Sequence, residues 1–233
     1  MGSSESKEAG ARLQNATLGR TTFPQEFNIY YENLSSSLKF NLGEQKGDSW
    51  NVLTFPQGWF GDLILYSTSS TKSDPLAVIT SASKMGKSDA VELAPLQPGD
   101  PTMRGQMDSI SHGGWAFSAP VPGGGSERFE WRDSKSAAVR SLGESSHGWE
   151  LVRLNHREEV VAVWAEKKLA LSVSKAATFR WVGSGAGGQL GPIFSVMAVA
   201  TFLRIWQKRM QIYMKGGIAA GAASSVGAAI AVS

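Results

Sequence analysis

The chain has 233 residues, of which 42% are hydrophobic, and a formal net charge of +3. This apolar content supplies one sizeable core, so the composition excludes a disordered protein. Because the chain has no cysteine, disulfides, thiol catalysis and cysteine metal sites are excluded, and a reducing compartment is allowed.

The charge is unevenly distributed along the chain. No acidic residue follows Glu166, whereas lysines and arginines give that last part +8 and leave −5 for the part before it. A basic segment of this kind can meet phosphates on lipid or nucleic acid. The alternative is that these cations only decorate strand edges and a helix end.

The N-terminus begins MGSSESKE, which matches the Met-Gly-x-x-x-Ser pattern for N-myristoylation at Gly2. A chance match is the alternative, and a single acyl chain gives only marginal membrane binding without a second signal. No basic stretch followed by an apolar run is present, so a secretory signal is not expected. The remaining residues up to Thr22 are polar, and we predict a disordered tail over 1–22.

From Phe23 onward, short runs rich in β-branched and aromatic residues alternate with turn-forming clusters, which indicates many short strands. The first candidates are FNIYY, LKFNL, WNVLTF, WFGDLILYS and PLAVITSA.

The segment 95–126 is rich in proline and glycine and has no sustained periodicity. This pattern predicts a long surface loop, within which Trp115 and Phe117 dock one short strand.

Strand patterns return with RFEWR and WELVRL. The run VVAVWAEKKLALSVS predicts a hairpin that pairs 160–164 with 169–173, and TFRWV predicts a final strand.

The segment GPIFSVMAVATFLRIWQKRM predicts a helix over 192–210, with Pro192 in its first turn and Lys208 and Arg209 at its C-terminus. Residues 193–206 are apolar almost all round, which indicates burial in protein or in lipid. They would span only about 21 Å against a hydrocarbon core of about 30 Å, so a protein core is favoured. The Gly/Ala-rich segment 216–233 predicts a flexible tail, although its GxxxG spacing would permit helix contacts in lipid.

Motifs for chemistry are weak in this chain. The glycines from Gly183 to Gly188 match GxGxxG, but no acidic residue follows to hold a ribose, so we interpret them as a linker. His112, His147 and His156 lack metal-ligand spacing and are expected at the surface. We therefore predict no catalytic residues, no metal site and no cofactor. Aromatic and basic residues are not interleaved, so nucleic acid is not an expected partner.

Roughly ten to twelve short strands followed by one uniformly apolar helix predict a mainly β protein, in which a closed antiparallel barrel encloses the C-terminal helix. A barrel removes exposed sheet edges, and its interior needs filling. On this basis the chain divides into the tail 1–22, a barrel domain over 23–215 and the tail 216–233.

The segments SDPLAVI, RFEWRDS, WELVRL, VVAVWA and LGPIFSVMAVATFLRIWQKR together resemble the fungal branch of the Tubby C-terminal-like group, which is related to LURP-one and phospholipid scramblase domains. The resemblance covers about 23–215. It implies a twelve-stranded antiparallel barrel around a hydrophobic C-terminal helix. Tubby proteins bind phosphoinositides through basic residues, and scramblase-like relatives associate with membranes. Those basic residues do not align position by position with this chain, and the scramblase calcium-binding segment has no acidic counterpart near the helix.

These patterns lead to the hypothesis of a non-enzymatic, cytoplasmic barrel domain that binds anionic phospholipid at a membrane surface. Arg204, Lys208, Arg209 and Lys215 are the candidate contacts to lipid phosphate, and Gly2 is the candidate lipidation site. One alternative is an integral membrane protein inserted through 193–206 and the Gly/Ala tail. Another is a small-ligand carrier or enzyme, which is disfavoured because the helix would occupy the barrel interior.

Overall fold

A computed structural model describes residues 4–19, 21–33, 38–83, 86–123, 125–143, 147–167 and 175–229. This described part contains twelve strands in one antiparallel sheet, and each strand pairs with its neighbours in sequence. Pairing of the first strand with the last closes the barrel, which confirms the predicted architecture. The strands are β1 Glu26–Asn33, β2 Leu38–Gln45, β3 Asp48–Phe55, β4 Leu63–Tyr66, β5 Pro75–Ser81, β6 Ser88–Leu93, β7 Met103–Ser109, β8 Trp115–Val121, β9 Gly125–Ser134, β10 Gly148–Arg153, β11 Glu159–Glu166 and β12 Lys175–Trp181.

Three α-helices accompany the barrel in the described ranges: α1 Ser4–Arg12, α2 Ala137–Arg140 and α3 Gly191–Ala229. The helix α3 begins at the predicted position, where Gly191 has a positive φ of 83° and Pro192 occupies the first turn. It does not end at Met210 as predicted but continues to Ala229. Lys208 and Arg209 therefore lie within the helix and not at its terminus.

The barrel encloses the first four turns of α3 and their apolar circumference. Trp206 packs against Phe40 of β2 and Phe55 of β3, and Phe202 packs against Trp164 of β11 and Phe179 of β12. On the remaining side of the barrel, α3 contacts Phe129 of β9 and Asp89 of β6. The helix is therefore the core of the barrel.

Two details fit α3 to the barrel wall. The indole Nε1 of Trp131 donates a hydrogen bond of 3.0 Å to Oγ1 of Thr201, whose hydroxyl in turn donates to the carbonyl oxygen of Met197 within α3. Both buried polar groups are therefore satisfied. On β7, a Cβ at Gly105 would lie 2.8 Å from Cε of Met197. Glycine therefore lets the helix pass close to this strand.

The N-terminal segment is a correction to the predicted disordered tail 1–22. Within 4–19, α1 and the turn after it bury Ala9, Leu13 and Leu18. The guanidinium of Arg12 also pairs with Asp74, with 3.3 Å between Nε and Oδ1. Few apolar residues in this segment are needed for docking because the barrel supplies the opposing surface.

The predicted long loop 95–126 is also wrong in part, because it contains β7, β8 and the start of β9. The sequence of β7 hides its strand character, since only Met107 among its seven residues is buried. Polar residues on the outer face and a glycine on the inner face remove the alternation that identifies a strand.

The predicted hairpin partner of β11 is likewise corrected. Strand β11 pairs with β12, with Trp164 opposite Phe179, and the segment 169–173 lies outside the described residues. The strand TFRWV was therefore correctly identified, but its neighbour was not.

The glycine run has a packing role. The residues Gly183–Gly188 form short 3-10 turns at the end of the barrel where α3 enters. A Cβ at Gly185 would lie 2.0 Å from the carbonyl oxygen of Val161. Close approach to β11 therefore accounts for this glycine.

Candidate functional site

The end of the barrel at which α3 leaves is the candidate site, and we call it the exit mouth. In this up-and-down barrel the odd-numbered strands end at the exit mouth and the even-numbered strands begin there. Residues near those strand ends contact this part of α3, among them Tyr31 of β1, Trp115 of β8 and Glu166 of β11. The helix is buried through Gln207, half-buried over 208–211 and exposed over 212–215.

Arg204 lies inside the barrel below the exit mouth. Its Nε and Nη2 atoms donate to Oδ1 of Asp89 at 3.0 and 2.7 Å, and Nη1 donates to the carbonyl oxygen of Gly61 at 2.9 Å. Arg204 is only 3% exposed and Asp89 is fully buried. The expectation that Arg204 contacts lipid phosphate is therefore wrong.

Lys208 shares the same carboxylate. Its Nζ lies 3.0 Å from Oδ2 of Asp89 and 4.8 Å from the ring centroid of Trp115, and it donates to the carbonyl oxygen of Gly86 at 3.1 Å. Burial lowers the pKa of Lys208, and the Asp89 carboxylate opposes this effect. The ammonium group thus has its partners within the protein.

Arg209 is bound to the opposite side of the exit mouth. Its Nε donates to Oε1 of Glu166 at 2.5 Å, and its Cζ lies 5.9 Å from the ring centroid of Trp149 and 5.8 Å from that of Tyr213. Burial opposes the cation, but the hydrogen bonds and charge of Glu166 outweigh it and raise the pKa of Arg209. This arginine ties α3 to β11.

Lys215 is the only one of the four predicted phosphate contacts that lies on the exposed part of α3. Its Nζ lies 5.4 Å from the ring centroid of Phe60, which belongs to the loop between β3 and β4. Gly2, the predicted lipidation site, lies outside the described residues.

The exit mouth also carries exposed apolar side chains that the sequence prediction did not single out. The exposed fractions are 58% for Phe60, 67% for Ile212, 46% for Tyr213 and 47% for Met214. Among the residues up to Lys215 whose side chains the structure describes, these are all the large hydrophobic side chains that are exposed, and all lie at this one end. We call Phe60, Ile212, Tyr213, Met214 and Lys215 the mouth patch.

Further cations border the mouth patch. Lys87 immediately precedes β6 and Lys167 immediately follows β11, and both are exposed at the same end of the barrel. The order of the strands brings these lysines near α3, although they are far apart in sequence.

Other classes of site find little support in the described ranges. No group of three or more His, Asp or Glu side chains there could hold a metal ion, and His112, His147 and His156 are exposed as predicted. Among the described helices, none combines the length and the apolar character that crossing a bilayer requires.

Comparison of the chain with protein-family models, curated proteins and solved structures gives no match.

Proposed function

We propose that the chain is a non-enzymatic, Tubby-like barrel domain that docks peripherally on anionic phospholipid membranes through the mouth patch. The observation that carries the proposal is the clustering at the exit mouth, beside Lys215, of every exposed large hydrophobic side chain that the structure describes up to that residue. An exposed apolar patch next to cations is typical of a surface that lies in a lipid headgroup region.

Burial of the apolar side chains and attraction of the lysines to anionic lipid both favour membrane binding. Full burial of a large apolar side chain contributes about 1.5–3 kcal/mol, and a lysine near an anionic lipid surface contributes about 1 kcal/mol. Ile212 and Met214 would enter the interface while Lys215, Lys87 and Lys167 remain at headgroup level. The combination predicts reversible binding that weakens as salt screens the charges.

The buried cations have a different role in this proposal. Asp89 holds Arg204 and Lys208, and Glu166 holds Arg209. These pairs fix the depth and rotation of α3 in the barrel, and they thereby determine which side chains α3 presents outside.

Co-sedimentation of the full chain with vesicles tests the proposal. Wild type is expected to pellet with phosphatidylcholine vesicles that contain phosphatidylserine, and much less with phosphatidylcholine alone. Lys215→Glu should weaken the partition coefficient about fivefold or more, since each basic residue contributes about 1 kcal/mol. The double variant Ile212→Ser, Met214→Ser should weaken it about tenfold or more.

Lys46→Glu is the matched charge reversal, because Lys46 is exposed in the turn between β2 and β3 at the opposite end of the barrel. It should bind like wild type. Absence of wild-type binding, or an equal loss for Lys46→Glu and Lys215→Glu, would contradict docking through the mouth patch.

Carbonate extraction separates this proposal from the integral alternative, in which 193–206 and the Gly/Ala tail insert. A peripherally bound chain is expected in the supernatant. Retention in the pellet would favour insertion, which requires α3 to leave the barrel.

Acylation of Gly2 is tested separately. Intact mass of the protein from a eukaryotic host, compared with Gly2→Ala, should show the added mass of a myristoyl group. Protein from a bacterial host without the transferase measures the mouth patch alone.

A further inference from the structure

The thioether of Met214 is the oxidisable group of the mouth patch. The chain has no cysteine, so methionine is the residue type that can bring reversible sulfur oxidation to this protein. Oxidation converts a flexible apolar side chain into a polar sulfoxide, and reductases reverse the reaction. Phe60 and Ile212 undergo no comparable change. Met214 is therefore the residue at which the apolar character of the mouth patch can be removed and restored.

Exposure distinguishes Met214 from the other methionines whose side chains the structure describes. Met214 is 47% exposed, whereas Met107 and Met197 are 0% and 2% exposed in the core. Met103 and Met210 are half-buried. Because oxidation of a side chain requires access of the oxidant to its sulfur atom, Met214 should react before these other methionines.

The position of Met214 on α3 also allows oxidation without loss of the fold. The buried α3 residues that the structure describes end at Gln207, and the outermost described ion pair between α3 and the barrel joins Arg209 to Glu166. Met214 lies more than one helical turn beyond Arg209. A sulfoxide at that position meets solvent, whereas a sulfoxide at Met197 would place a polar group in the core.

We propose that Met214 is an oxidation site that controls docking of the mouth patch. The thioether sulfur attacks one oxygen atom of hydrogen peroxide, the O–O bond breaks, and that oxygen is transferred to sulfur while the other leaves as water. The sulfur is oxidised to the sulfoxide and the peroxide is reduced. Selective oxidation is a property of the protein alone, whereas its effect on docking rests on the proposed function.

The sulfoxide weakens docking because its dipole would have to leave water when Met214 enters the membrane interface. Loss of one large apolar side chain from the buried part of the patch should lower the partition coefficient about tenfold. The charges of Lys215, Lys87 and Lys167 are unchanged by the oxidation. The remaining binding should therefore keep the salt dependence of the reduced protein.

Limited oxidation of the full chain, followed by peptide mass spectrometry, tests the selectivity. Dilute hydrogen peroxide is expected to add one oxygen atom at Met214 first, at Met103 and Met210 more slowly, and at Met107 and Met197 last. Near-UV circular dichroism should be unchanged while Met214 reacts. Oxidation of any of the other four ahead of Met214, in protein that keeps its native spectrum, would overturn the assignment.

Co-sedimentation with phosphatidylcholine vesicles that contain phosphatidylserine tests the effect on docking. Protein oxidised at Met214 is expected to bind about tenfold more weakly than reduced protein, and treatment with methionine sulfoxide reductases for both epimers should restore binding. Met214→Gln, which introduces a polar side chain of similar length, should weaken the binding of untreated protein by a comparable factor. Full-strength binding of oxidised wild type would overturn the control of docking by Met214.

Two conservative variants assign the effect to one residue. Met214→Leu keeps an apolar side chain that peroxide does not oxidise, so the treatment should leave its binding unchanged. Met103→Leu makes the same substitution at a half-buried position where β7 begins, at the opposite end of the barrel. It should lose binding on oxidation as wild type does. An equal loss for oxidised Met214→Leu would overturn the assignment.

Failure of the proposed function gives a different result from failure of this inference. If reduced wild type does not bind the vesicles, docking through the mouth patch is contradicted, and the control of docking is contradicted with it. If reduced and oxidised wild type bind equally, docking stands and only the role of Met214 is contradicted.

Discussion

At the scale of single residues, one buried carboxylate organises the polar part of the core. Asp89 is fully buried and accepts the charges of Arg204 and Lys208, which lie one helical turn apart on α3. A buried cation is tolerated only when it is paired and hydrogen-bonded. Loss of the carboxylate would leave two cations in a region of low dielectric constant.

We therefore expect Asp89→Asn to lower the free energy of unfolding by about 3–5 kcal/mol, as measured by urea denaturation. The control is Glu32→Gln, which breaks the solvent-exposed pair between Glu32 and Lys39 and should cost about 1 kcal/mol or less. Equal losses for the two variants would show that Asp89 does not stabilise the helical cations.

A second carboxylate connects stability to pH. Glu127 accepts hydrogen bonds from Nε and Nη2 of Arg153 at 2.5 and 2.7 Å. These bonds outweigh burial and hold the pKa of Glu127 below its usual value of 4.5. Because the folded state then binds fewer protons than the unfolded state, Glu127 stabilises the fold above pH 4.5, and this stabilisation is lost as pH falls through the lowered pKa.

Glu127→Gln should accordingly flatten the dependence of unfolding free energy on pH below 4.5. Urea midpoints between about pH 6 and about pH 3 measure the effect. Glu44→Gln removes an exposed carboxyl group in β2 and should leave the slope unchanged. A Glu127→Gln slope equal to that of wild type would contradict the role of this pair.

At the scale of elements, α3 has two parts with different surroundings. Its first part is surrounded by the barrel, whereas the part beyond Gln207 faces water. Trp206 is the last large side chain of the enclosed part, and it contacts Tyr31, Phe40, Phe55 and Trp59. It acts as an apolar plug below the exit mouth.

Truncation of the Trp206 side chain should destabilise the fold. Trp206→Ala is expected to lower the free energy of unfolding by about 3–5 kcal/mol, because it removes apolar contacts and leaves a cavity. Ile212→Ala, less than two turns away on the exposed part, should change it by about 0.5 kcal/mol or less. A small effect of Trp206→Ala would contradict enclosure of the helix.

At the scale of the whole molecule, stability depends on contacts between distant parts of the chain. The barrel is closed by β1 and β12, where Arg180 and Glu26 form an ion pair of 2.5 Å across the seam. The helix at the centre of the core comes last in the sequence, since α3 follows all twelve strands. The barrel therefore lacks the centre of its apolar core until the C-terminal helix is present.

Two truncations test this dependence. A chain that ends at Lys215 should retain the cooperative thermal unfolding of the full chain, because the buried α3 residues that the structure describes end at Gln207. A chain that ends at Gln189 lacks α3 and should show no cooperative transition by circular dichroism. Cooperative unfolding of the shorter chain would contradict the role of α3 as the core.

The sequence by itself determined the features that local patterns encode. Alternating apolar residues such as those of FNIYY predicted strands, and the apolar circumference of 193–206 predicted a buried helix. Their combination predicted a closed barrel around α3, which the structure confirms. The period of a side-chain pattern is a local property, so it can be read without knowledge of the tertiary neighbours.

The tertiary structure decided what those elements contact. Arg204 belongs to a cationic stripe in sequence, but its partner Asp89 lies 115 positions away, and no local pattern joins them. For the same reason the polar strand β7 and the docked helix α1 were missed, since the barrel supplies the surface against which they pack. The mouth patch exists only because strand order brings Phe60 to Lys215. Local periodicity therefore identified the strongly apolar strands and helix, and long-range pairing determined which polar segments pack on them and which charges remain for a partner.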